Sequence, residues 1–193
     1  SFLTQKMLLM AIYERWNEVK VSDAAKQIGV STKSASRCFD ELEYLNIDVL
    51  GMKGKSRVIN IPSDRKQVWQ QIENVLRNPV IRRFVLREDM KLEKKAGISA
   101  LCEYSLLSDN VYPTYAVTKK ELKDSAVKVE KQVSELEEIG CVVLELGYFI
   151  DFLGKGFQDP LSVILSLTGE EQEEERVDIS INEMLEEYVW SKD

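Results

Sequence analysis

The sequence predicts an α+β protein in two parts, and three observations predict it. Residues 21–61 hold two short helical patterns parted by a glycine turn, then two β-rich runs around a basic, glycine-containing tip. Residues 79–193 mix β-branched runs with helical patterns, the layout of a small α+β domain. Between them Asn78-Pro79 stops a helix and marks a boundary. The expectation is an N-terminal winged helix-turn-helix domain over residues 1–78 and a small C-terminal α+β domain over 79–193.

The first helix is expected over residues 4–17, because Leu8, Ala11, Ile12 and Trp16 recur at helical spacing after Leu3 and Met7. Its pattern begins almost at once after Ser1, so further native residues are expected before that serine. Val21 reads as a short extended lead-in and Ser22 as the N-cap of the second helix. Ala24, Ala25 and Ile28 form that helix's inward stripe, and the alanines allow close approach of the next helix. Gly29 supplies a left-handed turn and Val30 fills the angle. Ser31 starts the third helix, whose inward face is Ala35, Cys38, Phe39, Leu42 and Leu45. That face turns Thr32, Lys33, Ser34, Ser36, Arg37 and Asp40 outward, where a recognition helix presents residues to base edges. Residues 47–52 and 57–61 read as strands around Lys53-Gly54-Lys55-Ser56, the wing.

Pro62-Ser63-Asp64 caps a fourth helix with Val68, Trp69, Ile72, Val75 and Leu76 as its stripe. Beyond the boundary, residues 80–86 read as a strand. Residues 97–107 read as a helix with Ile98, Leu101, Cys102, Ser105 and Leu106 inward. Residues 114–117 and 141–150 read as further strands. Asp159-Pro160 opens a helix by capping and an N1 proline, running through Val163, Ile164 and Leu167 to Gly169. A last helix shows Val177, Ile181, Met184, Leu185 and Tyr188 on one face.

Composition narrows the chemistry. The chain has 193 residues and no histidine, which removes Ser-His-Asp and Cys-His catalysis and Cys₂His₂ zinc. Cys38, Cys102 and Cys141 lie far apart, with neither metal-ligand spacing nor a disulfide framework; each reads as a small core residue, with redox sensing as the alternative. No apolar run approaches the ~18 residues that span a bilayer, and no start resembles a signal peptide. The expectation is a cytoplasmic protein without a membrane partner, metal or cofactor. The net charge is −7, but residues 1–95 hold 18 Lys and Arg against 12 Asp and Glu, a balance of +6. Residues 96–193 hold 8 against 21, a balance of −13. The asymmetry points to a front half that meets a polyanion; two domains with unrelated surfaces is the plainer reading.

Two runs invite sharper readings. Gly51-Met52-Lys53-Gly54-Lys55-Ser56 resembles a phosphate loop only superficially, because two residues rather than four part the glycines and a strand follows. Arg82, Arg83, Arg87, Lys91, Lys94 and Lys95 would extend a DNA footprint, grip an acidic partner or form a solvated surface. Glu170, Glu171, Glu173, Glu174 and Glu175 precede the last helix, where acidic residues complement the dipole; a basic partner is the alternative.

The stretch from Ala24 to Leu45 with the following wing is similar to MarR-type and related bacterial repressors. Over nearly the whole length the layout resembles two-domain regulators and antitoxins of the abortive-infection AbiEi type. The matching stretches are Leu76-Arg77-Asn78-Pro79-Val80, Ala96-Gly97-Ile98-Ser99-Ala100-Leu101, Thr114-Tyr115-Ala116-Val117, residues 159–167, and Glu183-Met184-Leu185-Glu186-Glu187 with Trp190. The resemblance implies a DNA-binding domain that represses its own operon and a C-terminal domain that counters a nucleotidyltransferase-like toxin. The acidic C-terminal half departs from that pattern.

The functional expectation is a non-enzymatic, sequence-specific transcription regulator, a repressor working as a homodimer on double-stranded DNA. Its DNA-binding residues would be Thr32, Lys33, Ser34, Ser36 and Arg37 on the helix and Lys53, Lys55, Ser56 and Arg57 on the wing. The alternatives are an antitoxin that binds a toxin protein, and a winged-helix module for protein interaction. Nothing with catalytic spacing supports an enzyme.

Overall fold

A computed structural model of the chain describes residues 1–124, 133 and 138–191. The chain is mixed α and β and divides into two compact units, one built on Ser1–Arg77 and the other on Asn78–Ser191.

The first unit opens with α1 (Phe2–Glu14), which buries Met7, Leu8, Leu9, Ala11 and Ile12 almost completely. The expected extension to residue 17 does not occur. Arg15 takes a left-handed conformation (φ 53°), and the Trp16 N–H closes back on the Ala11 carbonyl. Trp16 stays in the core from beyond the helix end. A two-residue strand, β1 (Val19–Lys20), leads directly into α2 (Val21–Ile28). Ser22 is therefore not the N-cap; that position falls to Lys20, whose side chain makes no capping bond, and Asp23 supplies the negative charge in the first turn.

Gly29 (φ 70°) ends α2 as expected, its N–H bonding the Lys26 carbonyl while Val30 bonds Ala25. The Ser31 hydroxyl then accepts from the Ser34 N–H and starts α3 (Thr32–Tyr44). Ala35, Cys38, Phe39 and Leu42 are buried, whereas Leu45 lies past the helix and is 46% exposed. The exit is set by Asn46 (φ 53°): its N–H bonds Glu43 and the Ile47 N–H bonds Leu42, which closes the helix immediately after Leu45.

Strands β2 (Leu50–Lys53) and β3 (Ser56–Ile59) pair as an antiparallel hairpin, with Lys53 opposite Ser56 and only Gly54-Lys55 in the turn. Gly54 stands at φ 61°, as the first central residue of such a tight turn requires. β3 also pairs with β1, so the sheet order is β1-β3-β2. Asp64 caps α4 (Arg65–Ile72) by accepting from the Gln67 N–H, and Val68, Trp69 and Ile72 face inward. The helix ends at Ile72, which leaves Val75 half exposed rather than in the stripe.

In the second unit, β4 (Val80–Leu86), β5 (Thr114–Thr118) and β6 (Cys141–Leu146) form a sheet of order β4-β6-β5. β4 runs antiparallel and β5 parallel to the central strand. All six residues of β6 are buried, which explains its near-continuous apolar run. Glu145 is the exception in type: at 2% exposure its carboxylate accepts from Nε of Arg82, directly opposite on β4, at 2.5 Å. The expected strand to residue 150 stops at Leu146, since Gly147 already bonds Pro79 outside the ladder.

A second core layer joins α5 (Gly97–Tyr104), α7 (Pro160–Ser166) and α9 (Glu175–Met184) through Ile98, Leu101, Tyr104, Val163, Leu167, Val177 and Met184. Tyr104 sits at its centre, donating to the Gln158 carbonyl at 2.9 Å and meeting Tyr188 edge-on at 5.2 Å. Because α5 stops at Tyr104, Leu106 is 92% exposed instead of buried. Asp159 caps α7 with Pro160 behind it, as the sequence suggested, but α7 ends at Ser166. Thr168 then caps α8 (Gly169–Glu173) through a reciprocal bond with Glu171. The glutamate run thus serves two helix starts, with Glu170 and Glu171 in the first turn of α8 and Glu175 in that of α9. Beyond Met184 the last helix widens into a π-helical turn (Leu185–Trp190) that buries Val189 and Trp190. A further short helix, α6 (Lys119–Asp124), follows β5.

The buried carboxylate gives a stability prediction. Arg82→Ala removes the partner of the buried Glu145 carboxylate, and because half of the Arg82 side chain is exposed the loss should be about 1 kcal/mol in urea unfolding at neutral pH. Replacing both residues by leucine should recover most of that loss, because no charge is then stranded. A single-variant loss below ~0.5 kcal/mol would show that water already reaches the carboxylate.

Candidate nucleic-acid interface

Helical spacing places Lys33, Arg37, Asp40 and Tyr44 in one outward row along α3, because residues four, seven and eleven apart share a face. The row is opposite the buried stripe of Ala35, Cys38, Phe39 and Leu42. Lys33 and Arg37 occupy the N-terminal half, where the free backbone N–H groups of the helix also carry partial positive charge. Asp40 and an 86%-exposed Tyr44 occupy the C-terminal half. Tyr44 was missed from sequence, although its position eleven residues after Lys33 marks it as outward.

The nine residues expected to meet DNA divide by what they already touch. Among the described residues, Lys33, Arg37 and Lys55 are exposed and carry no ion pair or hydrogen bond from their side chains. Thr32 is exposed at the first helical position. Ser34 is half-buried and engaged in the cap, its hydroxyl 3.0 Å from that of Ser31. Lys53 donates to Glu18 at 2.5 Å; both side chains are about half exposed, so this pair contributes at most ~1 kcal/mol and yields readily. Ser56 is half-buried opposite Lys53.

Arg57 departs from its expected role of reaching outward. Its guanidinium donates to Asp40 at 2.6 Å and to the Ser36 hydroxyl at 3.0 Å. Glu43 lies at 3.7 Å, and the group stands 5.7 Å over the Phe39 ring. A planar fork holding a carboxylate, a hydroxyl and a ring face is a positioned side chain, and it ties the hairpin to the flank of α3. Ser36 is consumed by the same contact. The signal for this pairing is absent from local spacing, since the partners are 17 and 21 residues apart.

Four of the six residues of the basic stretch after the boundary are also spent internally. Arg82 faces Glu145, Arg83 faces Glu171 at 3.7 Å, Lys94 faces Glu121 and Lys95 faces Glu103. The unit Ser1–Arg77 alone holds 12 Lys and Arg against 9 Asp and Glu, so its balance is +3, half the excess obtained when the count runs to residue 95.

The remaining chemistry is sparse. No group of three His, Cys, Asp or Glu side chains among the described residues could hold a metal ion. Burial pushes the Cys38 and Cys141 thiols above their ordinary range and Cys102 to about 11, which disfavours the reactive thiolate that redox sensing needs. No helix among the described residues is long and apolar enough to cross a membrane.

Arg57 and Lys53 should differ sharply when removed. Arg57→Ala is expected to lower stability by about 1–2 kcal/mol in thermal unfolding, and Arg57→Lys should not restore it, because an ammonium cannot hold the fork and the ring together. Lys53→Ala should stay within about 0.5 kcal/mol. Equal losses for the two alanine variants would contradict the positioning role of Arg57.

Comparison with protein-family models, curated proteins and solved structures finds no match for the chain.

Proposed function

We propose that the unit Ser1–Arg77 is a winged helix-turn-helix that binds double-stranded DNA, and that the protein is a transcription regulator, acting as a repressor. The order of its elements supports this reading: a helix, a short strand, two helices joined by the Gly29 turn, then a hairpin completing a three-stranded sheet. In that arrangement α3 enters the major groove and the hairpin rests on flanking phosphate.

The observation that carries the proposal is that three cations without internal partners among the described residues stand on the outward face of α3 and the adjoining hairpin tip. Lys33 and Arg37 project from the front of α3, and Lys55 projects from the hairpin tip. Arg37 is the better candidate for base readout, because its fork matches the O6/N7 edge of guanine. Lys33, Thr32 and Lys55 serve phosphate, and Lys53 joins them when phosphate displaces Glu18. Ser34, Ser36, Ser56 and Arg57 shape the surface instead of touching DNA.

Lys33, Lys53 and Lys55 neutralise about three phosphates, so one copy alone gives a log–log salt slope near −3 and weak binding. We therefore propose a homodimer on two half-sites as the working unit. Asn78–Ser191 would supply the contact between copies.

The test is selection of bound fragments from random duplex DNA, followed by anisotropy titrations on the recovered sequence. Arg37→Ala should lose about 1–3 kcal/mol on that sequence and relax the base preference at one position. Lys55→Ala should weaken all duplexes alike and reduce the salt slope by about one per copy. No enrichment after selection, or indifference of both variants, would overturn the proposal.

A further inference from the structure

The far end of α3 presents different chemistry from its front. Together with the base of the β2–β3 hairpin, it borders an open groove of about 470 Å3. The apolar part of the lining is Ile47, Leu50 and Met52, and Met52 is 64% exposed. Glu43 and Asp48 also line the groove and are exposed to solvent. Arg57 is the one cation among the lining residues, and its charge is already answered by Asp40 and Glu43. On the same helix end Tyr44 stands 86% exposed.

Such a surface suits neither bare solvent nor phosphate. Met52 stands in the open with the half-buried Ile47 and Leu50 beside it, which offers an anchor point for an incoming apolar side chain. Asp40, Glu43 and Asp48 against the single guanidinium of Arg57 leave an excess of negative charge that repels a nucleic-acid backbone and attracts cations. The helical rise separates Tyr44 from Lys33 by roughly 16 Å along α3, so the two ends can engage different partners.

We propose that this groove docks a segment of a partner protein in which one large apolar side chain is flanked by lysine or arginine. The apolar side chain inserts among Ile47, Leu50 and Met52, and the flanking cations face Glu43 and Asp48. Water is excluded around a central anchor while charges at the rim select the partner, the division of labour found at protein interfaces. Docking in this groove leaves the DNA-facing cations free, because Lys33, Arg37 and Lys55 lie outside the groove lining.

The test uses the full chain immobilised against a displayed library of random 12-residue peptides. Enriched peptides should share a large apolar residue flanked by Lys or Arg. Synthetic copies should bind the wild-type chain and lose tenfold or more in affinity to Met52→Ser and to Asp48→Lys, both exposed positions whose variants should melt like the wild type. The same peptides should bind Lys33→Ala/Lys55→Ala unchanged. Failure to enrich such peptides, or enriched peptides indifferent to both groove variants, overturns the proposal. Concentration-dependent dimerisation in sedimentation that Met52→Ser abolishes would assign the groove to a second copy and overturn it as well.

Discussion

The contact from Arg57 to Asp40 and Ser36 determines how the hairpin and α3 present themselves as one surface. A two-residue turn and four-residue strands make a ribbon that is marginal by itself. Two features hold it in place: pairing of β3 with β1 on one side, and the guanidinium bound to the outer flank of α3 on the other. The second contact also removes Asp40 from the electrostatics of the front face. Without it, an unpaired carboxylate would stand one turn from Arg37 and oppose any anion approaching Lys33.

Competition between internal carboxylates and external partners runs through the whole chain. Nearly a third of the residues are charged, and in the described structure many cations meet a glutamate or aspartate of their own unit. Net charge is therefore a poor guide to what the surface can bind. Cations without an internal partner among the described residues stand at the front of α3 and the hairpin tip, whereas the rear of α3 sets Asp40 and Glu43 against Arg57, with Asp48 beyond them beside the exposed Met52. One thirteen-residue helix thus carries two opposed chemistries.

Much of the fold was legible where the deciding interactions are local. Pro79 and Pro113 bracket β-branched runs, and the strands after them lie where expected. Ser31, Asp64 and Asp159 cap helices because each side chain reaches an N–H three residues on. Helix ends are less legible: Arg15 and Asn46 take left-handed conformations that glycine usually marks, and Ser105 leaves α5 in an extended conformation, so the stripes at Trp16, Leu45 and Leu106 run past the helices that carry them. β1 escaped notice because two residues carry no period, and its existence depends on β3, about forty residues away. Among the candidate site residues, outward direction was readable from helical spacing, but freedom from partners was not. Arg57 looked equivalent to Lys55 in sequence, and only tertiary pairing distinguishes a tie from an open cation.

The most direct measurement is a map of backbone amide chemical shifts as the full chain is titrated with a selected DNA duplex. Changes should concentrate at residues 32–37 and 53–56, with Tyr44 and residues 46–50 little moved. Changes centred on the groove, or confined to Asn78–Ser191, or no change at all, would contradict the claim that the unpaired cations of α3 and the hairpin hold nucleic acid.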